Sequence, residues 1–149
     1  MTSFAEPLAP HLAEPSKIGP EISITGKWIP ARKGGLFRRS PDSKEMLQEW
    51  EDIHLGARAD PGVLSTEINH AVGEDAVLVH HVFKDPDALV HYFTNTGTQH
   101  MDALTAVARP ALDLVRGTSI PDRVQEAVSA KVGSVAFGEL LFGYVKEDY

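Results

Sequence analysis

The chain has 149 residues, a net charge of −7 and no cysteine. This length fits one domain with a core of its own, and the lack of cysteine excludes disulfides and thiolate zinc sites. An acidic chain is a poor partner for phosphate backbones and anionic membranes, so we expect neither nucleic acid nor a membrane as a partner. The first 20 residues lack the basic start and apolar stretch of a secretion signal, and we expect a cytoplasmic protein.

The first part of the chain predicts an arm, a strand and a helix. Residues 1–20 carry four prolines, which predicts an arm before a domain over residues 21–149. Apolar and polar residues alternate from Ile22 to Trp28, as in a half-buried strand. After a basic loop, Ser40-Pro41 predicts a helix start, and four apolar residues then recur at helical spacing: Met46, Trp50, Ile53 and Ala57.

A hairpin and a second helix follow. The segments Val63–Val72 and Ala76–Phe83 predict two strands joined by a three-residue turn. Asp85-Pro86 predicts the cap of a helix that is interrupted near Gly97 and ends at Pro110. Three more elements complete the prediction: a strand over Leu112–Val115, a helix over Ser119–Lys131 and a strand over Val135–Val145. The order predicts a ferredoxin-like βαββαβ fold of the α+β class, with an extra C-terminal helix and strand.

The third predicted strand is apolar on both faces. Val77, Val79 and Phe83 point one way, and Leu78 and Val82 point the other. The helices of a ferredoxin-like unit cover only one face of its sheet. A second copy of the chain is the simplest cover for the other face, which predicts a homodimer. The alternative is that the extra C-terminal helix and strand cover it.

Three stretches carry a resemblance to a known family. Residues 59–64 (ADPGVL) match the turn "(E/D)PGxLxY", residues 77–85 (VLVHHVFKD) stand where "hhhYERWxD" is frequent, and residues 87–91 (DALVH) are similar to "EALxxH". The chain therefore resembles the antibiotic-biosynthesis-monooxygenase-like domains of the dimeric α+β barrel superfamily. The resemblance implies a dimeric barrel and oxidation of quinol-type aromatic molecules by dioxygen without a cofactor. His81 and Phe83 stand where glutamate and tryptophan are usual. The haem-degrading branch uses an asparagine, a tryptophan and a histidine, and its activity is not transferred because the first strand here has no asparagine and Phe83 replaces the tryptophan.

Seven histidines invite a metal hypothesis. His80 and His81 are adjacent on a strand, so their side chains leave opposite faces and cannot share a metal. If Val72 pairs with Ala76, His70 faces Leu78 beside His80, and His91 lies on the helix above. The sequence has no His-x-x-x-His spacing, and ordinary hydrogen-bonded histidines are the favoured alternative; we expect no metal.

The same register places Glu67 opposite His81, with Asn69 on the same face. A carboxylate beside an imidazole suits a general base, and an ordinary cross-strand polar pair is the alternative. His80, His91 and His81 are therefore the candidate catalytic residues, as acceptors of a phenolic proton. Candidate ligand-binding residues, each of which has a structural alternative in the core or at its boundary, are Trp28, Trp50, His54, Glu67, Asn69, Phe83 and His100.

Two functions stay open at this stage. One is a cofactor-independent monooxygenase that acts on aromatic, quinol-type molecules. The other is a ligand-binding or stress-response protein of the same fold without turnover. Both imply a small-molecule pocket.

Overall fold

A computed structural model of the chain describes residues 19–31 and 42–143. Most of the expected arm, the basic loop and the helix start at Ser40-Pro41 lie outside these residues. No helix in the described part of the chain is long and apolar enough to cross a membrane.

Five strands form one sheet in the order β2-β3-β1-β4-β5. All neighbouring strands are antiparallel except β4 and β5, which are parallel. The strands are β1 (Ile22–Pro30), β2 (Val63–His70), β3 (Val77–Phe83), β4 (Ala108–Gly117) and β5 (Ala136–Glu139). The first four strands and the helices between them confirm the ferredoxin-like α+β arrangement, with an extra C-terminal helix and strand.

The helices pack on one face of this sheet. They are α1 (Asp42–Ala59), α2 (Pro86–His91), α3 (Thr98–Val107) and α4 (Asp122–Ser129), and a π-helical turn (Tyr92–Thr96) joins α2 to α3. In β1, Ile22, Ile24 and Trp28 are buried beneath the helices, and the residues between them face the other side. We call that other side the open face. Val124 of α4 is buried in the same core, so the alternative in which the C-terminal helix covers the second face is wrong.

Local chemistry explains how α2 begins and ends. Asp85 is the N-cap, and its Oδ1 accepts a 2.8 Å hydrogen bond from Ala88 N, with Pro86 at the first helical position. The predicted interruption near Gly97 is confirmed as the π-helical turn, closed by a 2.6 Å bond from Gly97 N to Tyr92 O. The Tyr92 ring lies against Gly97, where a Cβ would approach its Cε2 to 2.5 Å.

The β2–β3 register differs from the expected one by a single residue. Ala71 N donates to Ala76 O, so four residues form the turn rather than three, with Gly73 at a φ of 80°. The predicted pairing of Glu67 with His81 is therefore wrong, because Glu67 lies opposite His80. A shift of one residue moves each side chain to the other face of the sheet.

The C-terminal strands also differ in length from the prediction. β4 begins at Ala108, four residues before the predicted start at Leu112, and it includes Pro110. Lys27 pairs with Leu112 and Trp28 pairs with Pro110, which leaves Ala111 as a bulge. A bulge is one of the few places where a sheet accepts proline. β5 is shorter than the predicted Val135–Val145 and ends at Glu139 within the described residues.

Candidate active site

A small cavity lies between the helices and the covered face of the sheet. It encloses about 30 Å³, the space of roughly one water molecule. Its walls are mostly apolar and aromatic, with two ionisable side chains on the strands, and are formed by Ile24, Trp28, Trp50, Ile53, Val79, His81, Phe83, Tyr92, Phe93, Met101, Asp113 and Val132. The cavity is nearly filled, so it must widen before it holds an aromatic molecule.

Asp113 is a buried carboxyl group in the sheet floor of this cavity. It shares the covered face with Val115 and lies opposite Gly26 of β1. A Cβ on Gly26 would lie 2.5 Å from Asp113 Oδ1, so only glycine leaves room for this carboxyl. Oδ1 has no hydrogen-bond partner among the described residues. Burial raises the pKa of Asp113 to about 7, although a hydrogen bond from the Leu114 backbone acts in the opposite direction.

His81 and Trp50 form a stacked pair across the cavity. Their ring centroids are 6.0 Å apart with an interplanar angle of 20°, and Trp28 meets Trp50 edge-on at 5.6 Å. Burial lowers the pKa of His81 to about 4, and repulsion from His80 and His54 adds to this effect. The imidazole is therefore neutral at pH 7. Trp50 Nε1, a hydrogen-bond donor, has no partner among the described residues.

Tyr92 closes the cavity at the π-helical turn. Its ring lies 5.5 Å from that of Phe83, and its hydroxyl has no hydrogen-bond partner among the described residues. Burial, with a smaller effect of the negative charge of Asp60, raises the pKa of Tyr92 to about 12. The hydroxyl is therefore protonated at pH 7 and available as a donor.

These groups give the cavity a defined chemistry. Buried polar atoms normally have partners, so three orphaned ones around a single cavity suggest groups kept for a ligand. The Asp113 carboxyl exchanges protons near neutral pH, while Trp50 and Tyr92 offer N–H and O–H donors to an oxyanion.

The structure brings together four of the sequence-predicted site residues. Trp28, Trp50, His81 and Phe83 all line the cavity. His54 lies next to this group, where its Nδ1 is 2.8 Å from the hydroxyl of Thr66, the residue opposite His81. Trp28 and Trp50 are both buried in the core, as their structural alternative predicts, and both also line the cavity.

Three other predicted residues lie on the open face instead. His80, Glu67 and Asn69 are separated from Asp113 by the thickness of the sheet. His80 Nδ1 is 2.9 Å from the hydroxyl of Thr25. His80 also lines a groove of about 750 Å³ on this face, with Val82, Leu114, Arg116 and Phe142 among its other walls. We call it the open-face groove.

The last two predicted residues lie apart from both sites. His91 is exposed at the end of α2, with its Nδ1 3.3 Å from Asn95 Nδ2, and His100 lies against Gly56 of α1. His70, His80 and His91, which the predicted register would have allowed to converge, do not meet, because His80 faces away from the helices. In the described ranges, no group of three or more His, Cys, Asp or Glu side chains is arranged to hold a metal ion.

The sequence argument missed Asp113 and Tyr92. The sequence did contain a signal for Asp113. It lies two residues before Val115 in an otherwise apolar strand, so both side chains point to the same face of the sheet. Gly26 inside the alternating first strand was a second signal, because glycine within a strand often marks a close approach. Tyr92 carried no such signal, since its position depends on the π-helical turn.

Comparisons with known proteins show a shared fold. No protein-family model matches the chain, and a search of curated proteins finds no match. MupZ from Pseudomonas fluorescens superposes with a TM-score of 0.61 at 10% identity, over 88% of this chain and 98% of that one. SnoaB from Streptomyces nogalater, described as a cofactor-independent oxygenase, gives 0.54 at 13% identity, over 69% and 97%.

A third structure, described as a putative antibiotic biosynthesis monooxygenase from Caulobacter crescentus, gives a TM-score of 0.50 at 15% identity, over 65% of this chain and 86% of that one. Identities this low concern the arrangement of the backbone and not the chemistry. The chain therefore shares its backbone fold with solved structures that are described as a cofactor-independent oxygenase and a putative antibiotic biosynthesis monooxygenase.

Proposed function

We propose that this protein is a cofactor-independent oxygenase of small phenol- or quinol-type aromatic molecules, with Asp113 as the proton acceptor. One observation carries the proposal: a buried carboxyl with an unpaired oxygen and a pKa near 7 faces an aromatic cavity. A general base works best when its pKa lies near the working pH. SnoaB, which shares the fold at 13% identity, is described as a cofactor-independent oxygenase, so this reaction class is the first one to test here.

The reaction begins with a proton transfer. The hydroxyl of the aromatic substrate donates to Asp113 Oδ1, and the proton moves to the carboxylate. The resulting anion is electron-rich enough to pass one electron to dioxygen, which leaves a substrate radical and superoxide. Their combination forms a peroxide anion on a ring carbon that bears hydrogen, and Asp113 returns its proton to the outer oxygen of this peroxide. Loss of water then leaves a carbonyl, so that one oxygen atom enters the product and the other departs as water.

The other polar groups would stabilise the charge. Trp50 Nε1–H and the Tyr92 hydroxyl lie in the same cavity without partners and are suited to donate to the substrate oxyanion. His81 is a weaker base than Asp113, because its pKa is about 4. We therefore assign it a neutral role, as a wall that stacks on Trp50 and forms one hydrogen bond with the substrate.

The test is a screen of phenols and quinols in air, with product masses read by mass spectrometry. We expect one substrate class to gain an oxygen atom with the wild-type protein, and Asp113→Asn to bind it without turnover. Asp122→Asn is the matched control, because Asp122 is an exposed aspartate on α4. Full turnover by Asp113→Asn would exclude Asp113 as the base.

We further propose that the protein is a homodimer formed through the open face. Leu78 and Leu112 are 43% and 64% exposed, and each lies beside Lys27 on that face. Apolar side chains grouped on an uncovered sheet face are typical of an interface. A second copy placed there would enclose the open-face groove.

The open-face groove favours a second candidate function, ligand binding without turnover. Its volume of about 750 Å³ lies within the roughly 300–1,000 Å³ that is usual for small-molecule sites. Leu114→Arg would place a charge in this groove, whereas Asp113→Asn changes only the buried cavity. A ligand whose affinity is lost in Leu114→Arg and kept in Asp113→Asn, with no product, would favour this candidate over the oxygenase.

A further inference from the structure

A second surface groove is lined by chain neighbours of two cavity residues, because Lys84 follows Phe83 and His91 precedes Tyr92. It has a volume of about 450 Å³, and its lining includes Asp60, Gly62, Lys84, Ala88, His91 and Thr96. We call it the α2 groove. Its lining includes residues just before and after Tyr92 in the chain, and Tyr92 itself lines the cavity on the inner side. Asp60, which also lines the groove, acts electrostatically on the Tyr92 hydroxyl, so Tyr92 belongs to the cavity wall on the side of the groove.

Two buried polar atoms in this wall have no hydrogen-bond partner among the described residues. They are Tyr92 OH and Asp60 Oδ2, on residues that are 4% and 7% exposed. The charge of Asp60 acts on the Tyr92 hydroxyl, so the two groups are near neighbours. A buried unpaired hydroxyl is costly, and contact with water relieves that cost. The buried position of the Tyr92 side chain therefore costs free energy that a displaced position, with the hydroxyl in water, would not cost.

The backbone at Tyr92 is also suited to local movement. The π-helical turn replaces regular helix bonds with the Gly97 N to Tyr92 O bond and two side-chain bonds. These run from the Thr94 hydroxyl to Val90 O, at 2.7 Å, and from the Thr98 hydroxyl to Phe93 O, at 2.8 Å. π-Helical turns occur frequently at functional sites, and irregular bonds near solvent make local opening inexpensive.

We propose that small molecules reach the buried cavity through the α2 groove, and that Tyr92 is the gating residue they displace. This inference rests on the proposed function in one respect, since it takes the cavity as the place of reaction. Its test needs no substrate. The protein has two tryptophans, Trp28 and Trp50, and both line the cavity. Quenching of tryptophan fluorescence by acrylamide therefore reports how often a small neutral molecule enters.

The main variant is Thr96→Phe, which narrows the α2 groove with an exposed side chain. Asn95→Phe is the matched control, because Asn95 is exposed in the same π-helical turn and outside the groove lining. We expect the bimolecular quenching constant to fall several-fold in Thr96→Phe and to stay near the wild-type value in Asn95→Phe. Equal constants in the two variants would overturn the proposal.

A second variant tests the role of the hydroxyl. Tyr92→Phe keeps the ring and removes the group that gains water on opening, so we expect quenching to fall several-fold here as well. An unchanged or larger quenching constant contradicts the proposal. The proposal is also contradicted if the quenching constants of the variants simply correlate with their free energies of unfolding, measured in urea.

The same variants separate this inference from the proposed oxygenase. If quenching depends on Thr96 while no phenol is oxidised, the entrance is supported and the proposed reaction fails. If oxidation depends on Asp113 while quenching is indifferent to Thr96 and Tyr92, the reaction is supported and the proposed entrance is wrong.

Discussion

Gly26 and Asp113 lie opposite each other on neighbouring strands, and the absent side chain of Gly26 provides the space for the Asp113 carboxyl. This pair places an acid inside the core, next to two tryptophans. A carboxyl is seldom buried without a partner, because burial disfavours its charged form. The pair is therefore the feature that most clearly separates this core from one built only for stability.

The Gly26–Asp113 pair predicts the effect of adding one methyl group. In Gly26→Ala, the new Cβ would lie 2.5 Å from Asp113 Oδ1 and 3.1 Å from Leu112 O, so we expect the free energy of unfolding to fall by about 1–3 kcal/mol. Urea denaturation measures the change. Gly138→Ala is the control, since the nearest atom to its Cβ would be 3.8 Å away. An equal effect at both positions would contradict the close approach.

Asp113 predicts a loss of stability as pH rises. Its pKa is about 7 in the folded protein, whereas the ordinary value of an aspartate is 3.8, so between these values the folded state binds more protons than the unfolded state. The contribution of Asp113 to the free energy of unfolding therefore decreases as pH rises from about 4 to about 7, by up to roughly 4 kcal/mol. Urea denaturation of wild type and Asp113→Asn across this range should show the difference. A wild-type-minus-variant difference that is independent of pH would refute it.

His81 predicts the opposite effect, a free energy of unfolding that increases with pH. Its pKa is about 4 in the folded protein against 6.5, so here the unfolded state binds more protons between these values. This contribution to the free energy of unfolding is complete above pH 6.5 and is lost as pH falls to about 4, by up to roughly 3 kcal/mol. In His81→Gln the increase in the free energy of unfolding with pH should vanish, and only the decrease that Asp113 causes should remain. A wild type that is nearly flat from pH 4 to 6.5 fits both shifts.

The proposed reaction has its own pH dependence. A base must be ionised to accept a proton, so kcat/KM should rise with pH and reach half its maximum near pH 7. Steady-state oxygen consumption with an active phenol from the screen measures this profile. A profile governed by a group of pKa about 4 would point to His81 instead.

The proposed dimer predicts a difference between two surface leucines. Leu112→Lys places a charge on the open face, and we expect dimer affinity to fall at least tenfold as that charge is desolvated. Leu55→Lys is the control, because Leu55 is 54% exposed on α1, on the helix side of the sheet. Native mass spectrometry and sedimentation velocity report the subunit number. A wild-type monomer would refute the interface.

The sequence by itself determined the order of the elements and the alternating burial of the first strand. Alternation in Ile22–Trp28 and the Asp85-Pro86 cap are local signals, readable because period and capping depend on neighbouring residues. The tertiary structure alone decided the site. The four-residue turn at Gly73 shifts the hairpin by one residue and places Glu67 opposite His80. Pairing of β1 with β4 buries Asp113 behind Gly26. A side chain's partners and pKa depend on contacts between distant segments, and a single sequence does not encode these contacts as a local pattern.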